Sequence, residues 1–286
     1  MSPVKEPSFF SLETRPENME PSLQLLGHEI EARTLKFLNG PMEQKLGGGI
    51  VRDWNDYLRL FRNAREQRAV GEASVSYLSS QTAPDGIASR FPDARIIIVL
   101  RSPADRAFSQ YLHNMSDGFI SQSFSQYLHT GMHSHGNGIG MQNTCLNMGL
   151  YAEQVQRYLD RFPPGQVGIW TYEETCSDPA RFLVEVMDFL GVDSSFRPDM
   201  SRRHNQPHVA LFPKAKRFLR RLGLWQVAAK SAPTTIHQAI RKAVHRPAGS
   251  LAMSFKDRAM LVDYYSDDIC RLEKLIHRDL TVWRTC

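Results

Sequence analysis

The pattern of hydrophobic and polar positions is clearest between residues 95 and 111. Residues 96–100 are five consecutive aliphatic residues, four of them β-branched, which predicts a strand buried on both faces. Arg101 follows at once and places a cation at the carboxyl end of that strand. Ser102 and Pro103 then predict the start of a helix, with serine as the N-cap and proline at the first helical position. The segment is therefore expected to form a strand followed directly by a helix.

Weaker patterns predict further elements along the chain. They indicate a helix entered through residues 47–61, a short strand or extended loop over 71–78, a helix over 151–162, a strand over 167–170, and helices over 178–190 and 255–278. Residues 113–147 are rich in Gly, Ser and His and poorly periodic, which predicts a mobile loop over a cleft. Strands alternating with helices predict one α/β domain with a mainly parallel sheet and helices on both faces.

Two local patterns look like known binding sites but lack their defining residues. Gly47, Gly48 and Gly49 resemble a phosphate loop, yet no Gly-Lys-Ser/Thr follows, so a hinge entering a helix is the better interpretation. His129 and His133 suggest a metal, as does nearby His135, but no ordered Cys or acidic spacing accompanies them. We therefore predict no metal site.

Arg101 and Ser109 are candidate binding residues on physical grounds. Ligands of open parallel sheets bind outside the carboxyl ends of the strands, and helix N-termini favour anions. An arginine at the strand end and a hydroxyl eight residues later can hold a phosphate between them. The same pattern fits a strand–helix unit whose arginine only caps the sheet edge. The spacing alone leaves both interpretations open.

Composition places the chain among ordinary globular enzymes. Its 286 residues are 42% hydrophobic and 23% charged, and we expect a single domain over residues 1–286. The four cysteines form no CxxC pair, which favours reduced thiols in a cytoplasmic protein. No stretch approaches the length of a membrane span, and the first residues lack the apolar core of a signal peptide.

The net charge of +5 is unevenly distributed. Residues 197–246 contain twelve Lys or Arg and one acid, Asp199, so this block carries +11 and the rest of the chain −6. Such a block suits an anionic cofactor or acceptor, nucleic acid or a membrane surface, and it also occurs as a solvated face. We predict a helical, basic C-terminal portion from about residue 197. No nucleic-acid partner is expected, because the block lacks interleaved stacking aromatics and a known motif.

The segment VLRSPADRAFSQY, residues 99–111, resembles the 3′-phosphate-binding motif of sulfotransferases that use 3′-phosphoadenosine-5′-phosphosulfate (PAPS). The resemblance runs from Lys5 to Trp283. It implies a P-loop-NTPase-like three-layer α/β domain with a mainly parallel central sheet. It also implies PAPS as co-substrate, no metal, and Arg101 and Ser109 as the residues that grip the 3′-phosphate.

Other stretches of the family suggest roles for six more residues. Lys5 to Phe10 resembles its K-E-x-x-F-F segment, which makes Glu6 the proposed general base; without the resemblance Glu6 would be interpreted as a surface residue. The segment GEASVSYL resembles the G-E-x-S-x-x-Y segment that lines the acceptor cleft, with Ala73 where heparan sulfate enzymes often carry Lys. The implied substrate-binding residues are Glu72 and Ser74, and those of a basic loop over the cofactor phosphates are Arg202, Arg203 and Asn205.

One motif of the family has no counterpart here. Its first strand and Lys-x-Gly-Thr-Thr loop, which cradles the 5′-phosphosulfate, precede the K-E-x-x-F-F segment, whereas Lys5 stands almost at the start of this chain. An inner strand without a replacement would leave buried backbone groups unpaired. We expect either an open reading frame of about thirty codons upstream that encodes this segment, as its usual length implies, or a degenerate homologue.

The sequence thus predicts sulfuryl transfer from PAPS to a hydroxyl or amine of a small-molecule or carbohydrate acceptor. The alternative is a catalytically impaired homologue that binds the nucleotide or a sulfated glycan. The acceptor cannot be read from the sequence, and neither can the oligomeric state.

Overall fold

The computed structural model describes residues 1–116, 119–133, 145–199, 208–210, 245–247 and 252–285. Its strands are β1 (Val4–Lys5), β2 (Leu46–Gly47), β3 (Ile96–Leu100), β4 (Val167–Thr171), β5 (His208–Ala210) and β6 (His245–Pro247). Its helices are α1 (Pro21–Leu38), α2 (Trp54–Arg59), α3 (Ser76–Ser79), α4 (Ala83–Arg90), α5 (Pro103–Ser116), α6 (Phe124–His133), α7 (Tyr151–Leu159), α8 (Tyr172–Ser177), α9 (Pro179–Leu190) and α10 (Phe255–Ile276). Short 3₁₀ turns lie at Leu12–Thr14, Pro16–Asn18 and Thr281–Arg284.

The described strands form three small sheets of two strands each. β1 pairs with β2 and β3 pairs with β4, both in parallel, whereas β5 and β6 are antiparallel. The β3–β4 pair is in register from Ile96 opposite Val167 to Leu100 opposite Thr171. Parallel register brings the carboxyl ends of β3 and β4 to one edge, so the residues that follow each strand are neighbours. The predicted α/β class with parallel strands is confirmed.

The prediction that β3 is buried on both faces is wrong. Ile98 and Leu100 are 6% and 1% exposed, but Ile97 and Val99, which point to the opposite face, are 41% and 43% exposed. On that second face, Trp170 of β4 packs against Phe182 and Phe189 of α9. An apolar run indicates a strand covered twice only if other elements lie on both sides. In the described part of the chain, β3 is well covered on one side only.

The loop predicted over residues 113–147 is also partly replaced by helix. Helix α5 continues to Ser116, and α6 follows over Phe124–His133. Phe124, Tyr127 and Leu128 lie three and four residues apart and are 7%, 1% and 0% exposed. Three apolar residues with this spacing form one helical face. The surrounding Ser, Gly and His residues obscured that short pattern, while residues 134–144 lie outside the described residues.

Helix α10 forms the centre of the helical core. Leu261 and Tyr265 are fully buried, and α10 packs against both α7 and α5. The approach is close at Gly149, where a Cβ atom would lie 2.8 Å from the Tyr265 ring. Arg258 of α10 also forms an ion pair with Asp105 in the first turn of α5, at 2.5 Å. These contacts fix the start of α5, the helix that follows Arg101.

Two further properties concern possible partners. None of the helices in the described residues is long and apolar enough to cross a membrane. The same residues include no cluster of three or more His, Cys, Asp or Glu that could hold a metal ion.

Candidate active site

The junction between β3 and α5 carries the predicted phosphate-binding arginine. Arg101 directly follows β3, and the Ser102 carbonyl accepts the first intrahelical hydrogen bond, from the Arg106 N–H at 2.8 Å. Ser102 is therefore the N-cap of α5, as its sequence predicts. The Arg101 guanidinium lies over the ring of Tyr172, with the central carbon 4.9 Å from the ring centroid. Among the described residues, it forms no ion pair with a carboxylate.

The neighbouring junction between β4 and α8 supports this turn. The Glu173 carboxylate accepts a hydrogen bond from the Ser102 N–H at 3.0 Å. Thr171 and Glu174 form a capping box: the Thr171 hydroxyl accepts from the Glu174 N–H, and the Glu174 carboxylate accepts from the Thr171 N–H. Arg278 donates to both oxygens of the same Glu174 carboxylate, at 2.7 and 2.9 Å. The start of α8 is therefore held from two sides. This also fixes Tyr172, the first residue of α8, whose ring lies against the Arg101 guanidinium.

A third contact comes from α7. The Tyr151 hydroxyl donates to the Arg101 carbonyl oxygen at 3.0 Å. Burial raises the pKa of Tyr151 to about 12, despite the opposing effect of nearby Arg106 and Arg101. The hydroxyl consequently keeps its proton at neutral pH and remains a donor. The Arg101 backbone is held by this bond and by the strand, which leaves the side chain as the part free to meet a ligand.

Ser109 lies two turns into α5, on the same strand–helix unit as Arg101. Its side chain is partly exposed and has no hydrogen-bond partner among the described residues. Arg106 of the same helix is engaged instead: it donates to the Gln110 side chain at 2.6 Å and to the Cys145 carbonyl. Within the described part of the chain, the Ser109 hydroxyl is thus open to a ligand, whereas two nitrogens of the Arg106 guanidinium already donate within the protein.

The predicted base, Glu6, lies on a second part of the molecule. Its backbone has a positive φ of 55°, and Ser8 has a φ of 53°, a conformation that residues other than glycine rarely adopt. The Glu6 carbonyl accepts from the Gly49 N–H at 3.1 Å. The Glu6 side chain is 31% exposed and lies 3.5 Å from the Lys5 ammonium. The carboxylate is thus accessible to an acceptor on a strained, well-anchored segment.

Glu72 and Ser74 lie beside this segment and are bonded to each other and to it. The Ser74 hydroxyl donates to the Glu72 carboxylate at 3.0 Å and accepts from the Ser8 N–H at 3.1 Å. The Tyr77 hydroxyl donates to the other Glu72 oxygen at 2.5 Å and accepts from the Phe10 N–H at 3.4 Å. The structure therefore brings together two of the predicted site residues, Glu72 and Ser74, and connects them through Ser8 to the segment that carries Glu6.

One helix links the two parts of the site. Tyr151 at the start of α7 bonds the Arg101 carbonyl, and Tyr158 of the same helix donates to the Tyr77 carbonyl at 2.8 Å. Residues seven positions apart lie on one face of a helix, about 10 Å apart along its axis. The turn at Arg101 and the Glu72–Ser74–Tyr77 group are consequently connected through a single rigid element.

Comparison with known proteins identifies the family. A family model described as a sulfotransferase domain matches residues 76–210. The solved structure of a sulfotransferase from Alicyclobacillus acidocaldarius is 30% identical and superposes with a TM-score of 0.70, over 99% of this chain and 87% of the other. The chain belongs to the sulfotransferase family. The predicted resemblance is therefore confirmed at the level of the family and its P-loop-like fold.

Curated relatives of this sulfotransferase are larger proteins. Human bifunctional heparan sulfate N-deacetylase/N-sulfotransferase 3 is 30% identical over 210 residues, which cover 72% of this chain and 22% of that protein. Bovine N-deacetylase/N-sulfotransferase 2 is 28% identical over 248 residues, 85% of this chain and 25% of that protein. The chain thus spans about a quarter or less of the length of these relatives.

The predicted site residues differ in how far the sulfotransferase structure describes them. Arg101 and Ser109 lie within the range that the family model matches, on one strand–helix unit. The predicted phosphate-loop residues Arg202, Arg203 and Asn205 lie outside the described residues.

Sequence reasoning missed the residues that hold Arg101, namely Tyr151, Tyr172 and Glu173. A usable signal existed for two of them. Tyr172 and Glu173 directly follow β4, and the carboxyl ends of neighbouring parallel strands meet at one edge. Tyr151 had no such signal, because its hydroxyl reaches Arg101 from a helix fifty residues later in the chain.

Proposed function

We propose that this sulfotransferase transfers the sulfuryl group of PAPS to an amine or hydroxyl of a carbohydrate acceptor. The observation that carries the proposal is the Arg101 side chain, which stands at the carboxyl end of β3 without a carboxylate partner among the described residues. Buried or half-buried cations normally have an anionic partner. In this family fold, a phosphate of the donor nucleotide is the group that fits.

The nucleotide would be bound by Arg101 and Ser109. The guanidinium offers charged donors in a planar fork that matches phosphate geometry, and the hydroxyl adds one further donor. The Tyr172 ring limits the Arg101 side chain to one side of the turn. Glu173 meanwhile holds the Ser102 N–H and keeps the turn in place. These residues bind and orient the donor and take no part in proton transfer.

Glu6 would act on the acceptor. The donor supplies the sulfuryl group and leaves as 3′-phosphoadenosine 5′-phosphate, and the acceptor loses one proton as its new bond to sulfur forms. The Glu6 carboxylate is accessible, and it carries the negative charge needed to take that proton. The rigid, strained backbone at Glu6 favours a fixed direction of approach. Proton transfer in this position makes the acceptor nitrogen or oxygen a better nucleophile.

The carbohydrate acceptor is inferred from the relatives. The curated proteins are named for N-sulfotransfer on heparan sulfate, so an amine of an anionic polysaccharide is the first acceptor to test. Lys5, which lies beside Glu6 and is 63% exposed, provides a cation at that place. Such a charge favours an acceptor with carboxylate or sulfate groups nearby.

The test is donor-dependent formation of 3′-phosphoadenosine 5′-phosphate in the presence of matched polysaccharides. One polysaccharide should carry free amines and the other the same chain with all amines acetylated. We expect turnover with the free amine and little with the acetylated chain, with incorporated sulfate as the second readout. Turnover on the acetylated chain alone would indicate a hydroxyl acceptor. Nucleotide and glycan binding without any turnover would instead favour the binding-protein alternative.

A further inference from the structure

Glu72 has no described contact that points to the acceptor; its carboxylate is engaged within the protein. One oxygen accepts from the Tyr77 hydroxyl at 2.5 Å and the other from the Ser74 hydroxyl at 3.0 Å. The Tyr57 hydroxyl lies close enough to influence this carboxylate electrostatically. Two hydroxyl groups thus donate to one carboxylate, which can only accept while it is ionised.

The direction of these bonds determines what the hydroxyl groups can do next. A hydroxyl has one hydrogen and two lone pairs. Ser74 and Tyr77 both direct their hydrogen at Glu72, so their lone pairs are left to accept other donors. Those donors are the backbone N–H groups of Ser8 and Phe10, at 3.1 and 3.4 Å. Glu72 therefore orients two acceptors towards the segment that carries Glu6.

That segment needs external partners to keep its shape. Glu6 and Ser8 both have positive φ values, and such a backbone persists only where the surroundings determine it. The Phe9 and Phe10 rings pack with their centroids 4.6 and 5.4 Å from that of the Tyr57 ring. The hydrogen bonds and the ring contacts thus act on adjacent residues of a single turn.

We propose that Glu72 is a positioning residue, which acts through Ser74 and Tyr77 to hold the Glu6–Phe10 segment and so to aim the Glu6 carboxylate at the acceptor. The inference rests on the proposed function, since it takes Glu6 as the base. It assigns Glu72 a role different from direct acceptor binding. Burial raises the pKa of Glu72, and the hydroxyl groups of Tyr77, Ser74 and Tyr57 act in the opposite direction by favouring the ionised form.

Glu72→Gln is the most informative variant because it keeps the shape of the side chain and replaces one hydrogen-bond acceptor by a donor. The glutamine amide has one acceptor and one donor group, so its NH₂ must face a hydroxyl that now donates to Glu72. That hydroxyl loses residue 72 as the acceptor of its own hydrogen, and it must rotate to direct this hydrogen elsewhere, which disturbs the alignment of its lone pair with the backbone N–H. One of the two anchors of residues 8 and 10 should therefore weaken.

The main test is a double-mutant cycle of Glu72→Gln and Glu6→Gln on the full chain. We expect Glu72→Gln to lower kcat by about tenfold or more, since small misplacements of reacting groups have large effects on rate. The acceptor KM and the affinity for 3′-phosphoadenosine 5′-phosphate should change by less than about twofold, as neither binding surface is altered. In the Glu6→Gln background, Glu72→Gln should have almost no further effect on kcat.

Three outcomes would overturn the inference. A raised acceptor KM with unchanged kcat would make Glu72 a substrate-binding residue. An equal loss of kcat in the Glu6→Gln background would show that it acts elsewhere, and an unaltered kcat in Glu72→Gln would show no role. The proposed function fails separately, if Glu6→Gln itself leaves turnover unchanged.

A second measurement needs no turnover. Amide hydrogen exchange at Ser8 and Phe10 should be faster in Glu72→Gln than in the parent chain, whereas exchange at Ala152, which bonds Asp268 in the helical core, should not change. Unchanged exchange at both Ser8 and Phe10 would overturn the proposed positioning. The exchange measurement can be interpreted in this way even if the chain transfers no sulfuryl group.

Two serine-to-alanine variants provide a matched pair, since each removes only one hydroxyl group. Ser74→Ala removes the acceptor of the Ser8 N–H and should lower kcat in the same direction as Glu72→Gln. Ser76→Ala removes a hydroxyl two residues further on that accepts from the Ser11 hydroxyl and does not contact Glu72. It should leave kcat near the parent value. Equal effects of the two variants would contradict the inference.

Discussion

The two halves of the site are built in different ways. On the nucleotide side, Arg101 is placed by a five-residue strand in full parallel register and by a helix that starts at the next residues. On the side of the proposed base, Glu6 follows a strand of only two residues. The backbone just after it, at Ser8 and Phe10, is held by side-chain hydroxyls more than sixty residues away in sequence. Regular elements are thus sufficient to position Arg101, the proposed phosphate ligand, whereas Glu6, the proposed base, lies on a segment that depends on a polar network and strained backbone.

Loss of the base should have the largest effect and would show how far the two halves are independent. Glu6→Gln keeps the size of the side chain and removes its basicity, so kcat should fall by about a hundredfold or more. The affinity for 3′-phosphoadenosine 5′-phosphate, measured by calorimetry, should not change. The control is Glu13→Gln, which makes the same change at a nearby carboxylate that is already engaged by the Ser80 hydroxyl and the Gln81 N–H. A similar loss of kcat in both variants would contradict the assignment of Glu6.

Loss of the Arg101 cation should mainly affect nucleotide affinity, in contrast to Glu6→Gln, which should mainly affect kcat. Arg101→Ala should weaken binding of 3′-phosphoadenosine 5′-phosphate by about 2–3 kcal/mol, since hydrogen bonds between charged groups are the strong ones. Adenosine 5′-phosphate, which lacks the 3′-phosphate, should bind the variant and the parent chain alike.

Arg95→Ala is the matched control for this measurement. Arg95 precedes β3 and donates to the Phe189 carbonyl, at the opposite end of the strand. Its loss should leave the affinity for 3′-phosphoadenosine 5′-phosphate unchanged. If Arg101→Ala weakens both nucleotides equally, or neither, the 3′-phosphate assignment is wrong.

A smaller effect is expected in the pH dependence of the free energy of unfolding, to which the buried Glu72 beside the Glu6 segment contributes. Burial raises the pKa of Glu72 above its usual value of 4.5. The folded chain therefore binds this proton more tightly than the unfolded chain, so the free energy of unfolding should decrease as pH rises from the unfolded pKa through the folded one. Glu72→Gln should reduce that decrease. Urea titrations across this pH window provide the measurement, and an identical pH dependence in both chains would contradict it.

The sequence predicted the strand–helix unit around Arg101 well, because the residues that determine it are adjacent in the chain. The strand, the N-cap at Ser102 and the start of α5 all follow from residues 96–103, and the structure has them in these places. The exposure of Ile97 and Val99 could not be predicted, since it depends on which elements cover the sheet. The helix α6 was missed because only three apolar residues mark its buried face.

The role of the segment that carries Glu6 was predictable only through the resemblance to sulfotransferases. Nothing local in Lys5 to Phe10 indicates that Glu6 and Ser8 adopt positive φ values, which side chains generally disfavour. The roles of Ser74 and Tyr77 depend on long-range hydrogen bonds to Ser8 and Phe10. Such contacts leave no periodic pattern in the sequence. The network around Glu72 therefore became apparent only from the fold.

The seven-residue spacing on α7 limits how this chain can change in length. Tyr151 and Tyr158 reach the two halves of the site from one helical face. Each helical residue turns the chain by about 100°, so inserting or deleting a single residue between them would rotate one hydroxyl away from its carbonyl. Only a change by whole turns would preserve the direction, and it would still alter the separation. Insertions that surface loops tolerate freely are thus incompatible with this short stretch.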